Sequence, residues 1–215
     1  MEPRESVTSV TAIKREIGPV ARHIARVAAK LFAERGYDAT SVREIVETAG
    51  VAKPTLYYYF RSKEGLAQAL LTVPLACLVA TLRQLVTTAN DPIRCLEDIM
   101  EAQYAFCRED PDRARFIYAL LFGPLGSEVA GELEPFKADL SGWTEAAVRR
   151  LAEAGIVSRE RVEACCSACR GLIVISTLDF LYGEKPLGQD LARRQVRDLL
   201  RGLGNGQVSD GMESL

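Results

Sequence analysis

Apolar residues recur at every third or fourth position along most of the chain, and no segment keeps an alternation of apolar and polar residues with a period of two. Glycine and proline fall between the apolar segments, where they interrupt the helical pattern. This pattern predicts an all-α fold of about nine helices. The first helix is expected from about Pro19 to Arg35, with Gly36 as its left-handed C-terminal cap.

Local signals delimit two short helices that follow. Ser41 and Glu44 have the spacing of a capping box, which predicts a helix over Val42–Ala49. Gly50 predicts a tight turn after this helix. Pro54 suits the first turn of a third helix, because the N–H that proline lacks would have no intrahelical partner there.

A fourth helix, capped by Ser62, marks the transition to the rest of the chain. It is expected to end or kink near Val73, because the residue before a proline, here Pro74, avoids the α region. We therefore predict a small N-terminal domain over residues 19–73 and a larger helical domain over residues 74–204.

The larger domain contains further helix signals. Asp91-Pro92 and Asp110-Pro111 each resemble an N-cap followed by proline at the first helical position. Helices are expected at about 92–108, 111–122, 133 or 135 to 154, 158–182 and 189–203. The two ends of the chain, residues 1–18 and 205–215, are polar or glycine-rich and are predicted to be flexible tails.

The segment from residue 40 to 64 combines two short helices, a tight turn and chemical groups that suit DNA. Leu56 and Phe60 lie four residues apart and give the third helix an apolar anchor. The other residues of that helix offer hydroxyl groups and positive charge. A helix-turn-helix needs this division, because one face fixes the helix to its scaffold while the other enters the major groove. The sequence therefore predicts a helix-turn-helix motif.

Two segments resemble the DNA-binding domain of the tetracycline-repressor (TetR) family: Leu-Phe-Ala-Glu-Arg-Gly-Tyr at 31–37 and Thr-Leu-Tyr-Tyr-Tyr-Phe at 55–60. The resemblance covers about residues 20–71. It implies an N-terminal three-helix DNA-binding domain and a C-terminal helical domain that binds a ligand and pairs two chains. The DNA-facing positions that it implies are Ser41, Val42, Arg43, Lys53, Pro54, Thr55, Tyr57, Tyr58, Tyr59 and Lys63.

A packing module with buried tyrosines is the alternative interpretation of this segment. Tyr57, Tyr58 and Tyr59 span about 200° of a helix with 3.6 residues per turn, so they cannot all face a core. This geometry favours DNA contact.

Charge is distributed unevenly along the chain. The net charge of −2 excludes a uniformly basic nucleic-acid binder. Residues 1–65 nevertheless hold 11 Lys and Arg against 8 Asp and Glu, whereas the remaining residues hold 16 against 21. A mildly basic N-terminal region on an acidic body agrees with DNA contact at one end only.

The sequence offers few routes to catalysis. It contains one histidine, His23, and it lacks a glycine-rich phosphate loop and a paired metal-binding motif. We therefore expect no enzymatic activity, no cofactor and no metal site.

The last two predicted helices suit an interface between two copies of the chain. Residues 171–182 are apolar nearly all round, which indicates a helix that is covered on both sides, and the final helix is amphipathic. Two such helices from each chain make a four-helix interface. We expect a homodimer whose interface includes Cys169, Ile173, Phe180, Val196, Leu199 and Leu200.

Aromatic and soft residues gather in the middle helices, where apolar walls with a few polar groups suit a small-molecule pocket. The residues expected to contact an effector are Met100, Gln103, Tyr104, Cys107, Phe116, Phe122, Trp143 and Thr177. Ordinary core packing is the alternative for each of them. The shortage of charge on these faces favours an apolar or aromatic effector.

The predicted function is ligand-responsive transcriptional regulation. We expect a repressor that binds a palindromic double-stranded DNA operator as a homodimer and is released by a small-molecule effector. One alternative is a thiol- or metal-responsive regulator that uses Cys165, Cys166 and Cys169. A second is a non-regulatory helical interaction protein.

The apolar segments also bear on where in the cell the protein is located. The first 18 residues lack the apolar core of a signal peptide. No apolar run is expected to approach the roughly 20 residues that span a bilayer. We therefore predict a cytoplasmic protein without membrane association.

Overall fold

The computed structural model of the protein describes residues 18–123 and 128–203. Within these ranges the regular structure is entirely helical, with nine α-helices of eight residues or more, one of four residues and a short 3₁₀ helix. The predicted all-α fold of about nine helices is confirmed. The predicted flexible tails lie outside the described residues, apart from Gly18.

The helices follow one another with short connections. In chain order they are α1 (Pro19–Arg35), α2 (Val42–Ala49), α3 (Lys53–Phe60), α4 (Lys63–Thr88), α5 (Pro92–Glu109), α6 (Pro111–Phe122), α7 (Glu128–Gly131), α8 (Glu134–Glu153), α9 (Val162–Tyr182) and α10 (Leu191–Leu203). The 3₁₀ helix Arg159–Arg161 precedes α9, and the side chain of Ser158 makes no capping hydrogen bond there.

The two Asp-Pro pairs begin helices as predicted. Asp91 Oδ1 accepts a hydrogen bond from the Ile93 N–H at 2.8 Å, and Asp110 accepts one from the Arg113 N–H at 3.0 Å. Each aspartate thereby satisfies a backbone donor that has no partner within its own helix. Helices α5 and α6 both start at the following proline.

Helix α4 continues through Pro74 to Thr88, so of the two predicted alternatives near Val73, an end or a kink, the end is wrong. An interior proline costs a helix about 3 kcal/mol, because one backbone hydrogen bond is lost and the ring crowds the preceding turn. Buried leucines lie on both sides of the proline: Leu70, Leu71, Leu75, Leu78 and Leu82. Each buried leucine contributes about 1.5–3 kcal/mol, which is enough to keep the helix continuous.

The chain divides into two compact units, each assembled from separate stretches of sequence. Unit 1 consists of the described residues up to Thr81 together with Phe106–Asp139, and unit 2 of Leu82–Ala105 together with the described residues from Leu140. Helix α6 therefore belongs to the same unit as α1, α2 and α3, and it packs against α1. The predicted domain boundary at residue 74 does not coincide with the boundaries of these units. The assignment of DNA binding to residues 19–73 and of ligand binding to residues 74–204 stays a prediction.

Two helical segments are long and apolar enough to cross a membrane by length and composition alone. They are α4 and Arg159–Tyr182, so the expectation that no apolar run reaches this length is wrong. Core helices of soluble proteins meet the same criterion.

The side chain of Arg150 joins α8 to the C-terminal end of α4 within unit 2. Its guanidinium donates hydrogen bonds to the carbonyl oxygens of Val86 and Ala89. The last carbonyls of a helix have no intrahelical partner and carry the negative end of the helix dipole. The half-buried Arg150 supplies both the hydrogen-bond donors and the positive charge that suit this helix end.

We expect Arg150→Ala to lower the free energy of unfolding by about 1–3 kcal/mol, because charge-assisted hydrogen bonds to partly buried carbonyls are lost. Urea unfolding followed by circular dichroism measures the change. Arg149→Ala is the matched control, since the neighbouring Arg149 makes only an exposed ion pair with Glu145. Equal stability of the two variants would contradict the capping role of Arg150.

Candidate nucleic-acid interface

A capping box fixes the start of α2. Ser41 Oγ accepts a hydrogen bond from the Glu44 N–H at 3.2 Å, and Glu44 Oε2 accepts one from the Ser41 N–H at 2.8 Å. The hydrogen bond from the Ser41 backbone is the main reason that the pKa of Glu44 lies below its usual value. The predicted cap is confirmed.

The turn between α2 and α3 depends on a glycine. Gly50 has φ of 63° and ψ of 33°, the left-handed conformation that a side chain disfavours. Its N–H donates to the Glu47 carbonyl at 3.3 Å, and the chain enters α3 at Lys53. The predicted helix-turn-helix connection is therefore present.

Helix α3 is anchored on one side and exposed on the others. Leu56 and Phe60 are buried, as the spacing of the two residues predicts. The exposed fractions of Tyr57, Tyr58 and Tyr59 are 40%, 81% and 41%. This exposure rules out the interpretation in which all three tyrosines pack into a core.

Two of the predicted DNA-facing cations lie beside tyrosine rings. Lys53 Nζ is 5.8 Å from the centroid of the Tyr57 ring, and Lys63 Nζ is 4.1 Å from that of Tyr37. Within the described part of the chain neither ammonium forms an ion pair with a carboxylate. Both charges are therefore available to an anion.

Arg43 is instead engaged with an acidic neighbour. Its Nε lies 2.6 Å from Glu47 Oε1 on the next turn of α2, and both side chains are exposed. The hydrogen bond to Glu47 raises the pKa of Arg43 above its usual value. The carboxylate of Glu47 therefore offsets part of the positive charge that Arg43 presents to a phosphate.

The remaining predicted positions surround these groups. Ser41 and Pro54 are exposed, and Val42 and Thr55 are half-buried. The structure thus places the ten predicted DNA-facing residues at the ends and outer faces of α2, α3 and the start of α4. Their role in binding DNA stays a prediction.

Arg61 forms the connection between α3 and α4 in a conformation that the sequence did not indicate. It is the one described residue other than glycine with positive φ, 66°. The Arg61 N–H donates to the Tyr57 carbonyl, and the Ser62 N–H donates to the Phe60 carbonyl at 2.7 Å. Arginine carries no local signal for such a turn, and Arg61 is a further exposed cation beside Lys63 in the chain.

The only histidine holds α1 against the helix-turn-helix. His23 Nε2 lies 3.1 Å from the carbonyl oxygen of Ala49, the last residue of α2. This contact indicates that His23 has a structural role within unit 1.

Five of the predicted effector residues lie in unit 2. Tyr104 is buried, and its hydroxyl donates to Gln195 Oε1 at 2.6 Å. Gln195 Nε2 donates in turn to Ser176 Oγ at 2.8 Å, and burial raises the pKa of Tyr104. The hydroxyl of Thr177 is buried without a hydrogen-bond partner.

The other unit 2 residues of this set are buried to different degrees. Met100 is buried, and Trp143 is half-buried. Gln103 Nε2 lies 3.5 Å from Thr144 Oγ1, at the limit of a hydrogen bond.

The other three predicted effector residues belong to unit 1. Phe116 is buried against Phe32 of α1, with ring centroids 5.0 Å apart. Cys107 is buried, and Phe122 is 64% exposed at the end of α6. Phe116 is therefore a core contact of the unit that carries the helix-turn-helix, which the sequence did not suggest.

The predicted dimer residues are partly enclosed within the single chain. Cys169, Ile173 and Val196 are buried in the core of unit 2, so they do not lie on a free face. Phe180, Leu199 and Leu200 are half-buried. Helix α9 was expected to be covered on both sides, but the side chains that remain outward differ from those predicted.

The outward apolar stripe of α9 follows the helical repeat. Ile175 and Tyr182 are 59% and 63% exposed, Gly171 is exposed, and Leu178 is half-buried between them. The spacing of residues 171, 175, 178 and 182 places them on one side of the helix. The sequence contained this spacing, but the nearly continuous apolar run concealed which side faces outward.

The clustered thiols of α9 lie inside unit 2. Cys165, Cys166 and Cys169 are buried free cysteines. Burial raises the pKa of Cys166, whereas the hydrogen bond between Cys165 and Cys169 lowers the pKa of Cys165 and raises that of Cys169. Within the described residues no group of three or more His, Cys, Asp and Glu side chains is arranged to hold a metal ion. The burial of all three thiols disfavours the alternative of a thiol or metal sensor, because reactive thiols are partly exposed to solvent.

Comparison with known proteins agrees with this geometry. Residues 24–70 match the family of bacterial regulatory proteins described as the tetR family. The chain is 37% identical over 91 residues to the transcriptional activator FasR of Mycolicibacterium smegmatis, which covers 42% of each protein. It is 35% identical over 79 residues to the transcriptional repressor KstR2 of the same organism, which covers 37% of this chain and 38% of KstR2. The matches span about two fifths of the length of these relatives.

The fold similarity extends further along the chain. The crystal structure of the TetR family transcriptional regulator PfmR from Thermus thermophilus matches with a TM-score of 0.68 and 28% identity. The match covers 85% of this chain and 96% of PfmR. These similar proteins are transcriptional regulators and not enzymes, in agreement with the predicted lack of enzymatic activity. By its helix-turn-helix, its helical fold and these similarities, the chain resembles the TetR family of transcriptional regulators, and residues 24–70 are the segment that matches the family directly.

Proposed function

We propose that the protein regulates transcription by binding operator DNA through the outer faces of α2 and α3 and the start of α4. The observation that carries this proposal is the exposure of three successive tyrosines on a helix that Leu56 and Phe60 anchor from behind. An exposed aromatic row is unusual on a free protein surface and marks an interaction site.

The proposed contacts divide into two kinds. Lys53, Pro54 and Thr55 lie at the N-terminal end of α3, the end that faces base edges in this motif. Tyr58 and Tyr59 suit phosphates, and Lys63 lies at the N-terminus of α4, where free N–H groups also attract an anion. Phosphate contacts set the register of the protein on DNA, and base contacts set its sequence preference.

We expect the double variant Lys53→Ala, Tyr58→Ala to bind operator DNA at least about tenfold more weakly than wild type, because each contact of this kind is worth about 1–3 kcal/mol. Fluorescence anisotropy with a labelled duplex, recovered from genomic DNA by the wild-type protein, measures the affinity. Lys137→Ala is the control, because Lys137 lies on α8 and pairs with Glu134 at the surface. Unchanged affinity of the double variant would remove the support for this interface.

Glu47 is expected to oppose DNA binding, because its carboxylate occupies Arg43 and repels phosphates. Glu47→Gln should therefore raise the affinity for the same duplex and steepen its dependence on salt. Glu145→Gln is the matched control, since Glu145 pairs with Arg149 on α8 at the same spacing and the same 2.6 Å distance. A decrease in affinity for Glu47→Gln would show that the ion pair holds Arg43 in place for DNA.

We also propose that two chains pair through α9 and α10. The apolar stripe of α9 is left largely uncovered by the described part of the single chain, since Ile175 and Tyr182 are mostly exposed. A two-fold axis places the same stripe of a second chain against it. A dimer also presents two recognition helices to two half-sites, which are about 34–36 Å apart in one turn of DNA.

We expect Ile175→Asp to convert the dimer into monomers, because a carboxylate in an apolar interface is buried without a partner. Sedimentation equilibrium measures the molar mass. Ala154→Asp adds the same charge at an exposed position after α8 and should leave the dimer intact. A dimeric Ile175→Asp protein would place the interface elsewhere.

The proposed effector is a small apolar or aromatic molecule that binds in the helical body. The buried hydroxyl of Thr177 supports this, because a buried hydroxyl without a partner is costly unless a ligand or water completes it. Helix α4 is continuous from Lys63 to Thr88, so a ligand that shifts α4 also shifts Lys63. Such a ligand releases DNA only if it binds the released state more tightly.

The proposed direction of regulation is repression, in the cytoplasm. The relatives include an activator and a repressor. In vitro transcription from a promoter next to the recovered operator tests the direction, since a repressor lowers the yield of transcript and an activator raises it.

A further inference from the structure

A series of aromatic contacts within unit 1 joins α6 to the start of α4. The ring centroid of Phe116 on α6 lies 5.0 Å from that of Phe32 on α1 and 6.5 Å from that of Tyr37. The rings of Phe32 and Tyr37 are 5.2 Å apart. The ammonium of Lys63, the first residue of α4, lies 4.1 Å from the Tyr37 ring.

The Tyr37 ring is held from several sides. Phe32 and Phe116 are both almost completely buried, so their rings have little freedom to move. The hydroxyl of Tyr37 donates to Glu64 Oε1 at 3.3 Å, which ties the far end of the ring to α4 as well. The position of this ring therefore depends on α1, α4 and α6 together.

We propose that Tyr37 is a positioning residue for DNA binding and that Phe116 makes its position depend on α6. This inference rests on the proposed function. A free lysine side chain loses rotamer entropy when it binds a phosphate. The face of the Tyr37 ring attracts the ammonium and holds it at the N-terminus of α4, so less entropy is lost on binding DNA.

These contacts link α6 to Lys63 on the DNA-facing surface and do not involve α3. A displacement of α6 removes Phe116 from the Tyr37 ring, the ring loses its support, and Lys63 returns to many conformations. DNA affinity then falls although the recognition helix is unchanged. Tyr37 lies within the segment that resembles the TetR family, but the sequence did not indicate that its ring faces Lys63.

Double-mutant cycles test the first part of the proposal. The probe is a fluorescein-labelled duplex that wild-type protein enriches from fragmented genomic DNA, and affinity is measured over a range of KCl concentrations. Tyr37→Leu should weaken binding roughly fivefold, the size expected of one cation–π contact, and flatten the salt dependence. The same change should have little further effect in a Lys63→Met protein. Tyr37→Phe keeps the ring and should retain most of the affinity.

A second cycle tests the role of α6. Phe116→Leu should weaken binding in the wild-type background and have little effect in the Tyr37→Leu background. Tyr118→Leu is the matched control, because it removes a ring from the same helix that packs against Phe122, 5.9 Å away. All proteins are compared at a temperature where circular dichroism shows each to be folded.

The outcomes separate the two claims. If wild type binds and the effects of Tyr37→Leu and Lys63→Met simply add, Tyr37 does not position Lys63 and the inference is overturned. Additive effects of Phe116→Leu and Tyr37→Leu overturn the dependence on α6. If wild type enriches no DNA, the proposed function fails, and the inference fails with it.

Discussion

The burial of Leu56 and Phe60 is the constraint on which the DNA-facing surface depends. Helix α3 has only eight residues, and isolated helices shorter than roughly 12–15 residues are marginal in water. Its stability must therefore come from packing, and each buried apolar side chain contributes about 1.5–3 kcal/mol. Because the two anchors lie four residues apart, they occupy one side of the helix. The three tyrosines between them are then forced outward, where their hydroxyl groups are accessible to DNA.

Helices α6 and α4 connect this surface to other parts of the sequence. Helix α6 is distant in sequence from the helix-turn-helix but packs against α1, and α4 runs without a break from the DNA-facing end into unit 2. A regulator needs the affinity of one surface to respond to events in another part of the molecule. In the proposed function, the aromatic contacts from α6 and the continuous α4 would be two physical routes for that response, and both end at Lys63.

Features that depend on neighbouring residues were predictable from sequence, and features that depend on tertiary contacts were not. Ser41, Asp91 and Asp110 cap helices through hydrogen bonds that reach two or three residues along the chain, so the sequence pattern was sufficient. The end of α4 was predicted wrongly, because packing of distant leucines outweighs the local cost of Pro74. The cap that Arg150 provides to α4 joins residues about 60 positions apart, and no local pattern indicates it. For the candidate site, helical geometry predicted outward tyrosines, whereas the outward side of α9 became clear only from the folded chain.

Enrichment of genomic fragments by the purified protein, with sequencing of the bound pool, is a direct test of the proposed operator binding. We expect wild-type protein to enrich an inverted repeat whose two halves are centred about one turn of DNA apart, and binding to weaken steeply with salt. A pool with no common sequence and no dependence on salt would contradict it, because a surface of exposed tyrosines and lysines on a helix-turn-helix would then serve another partner.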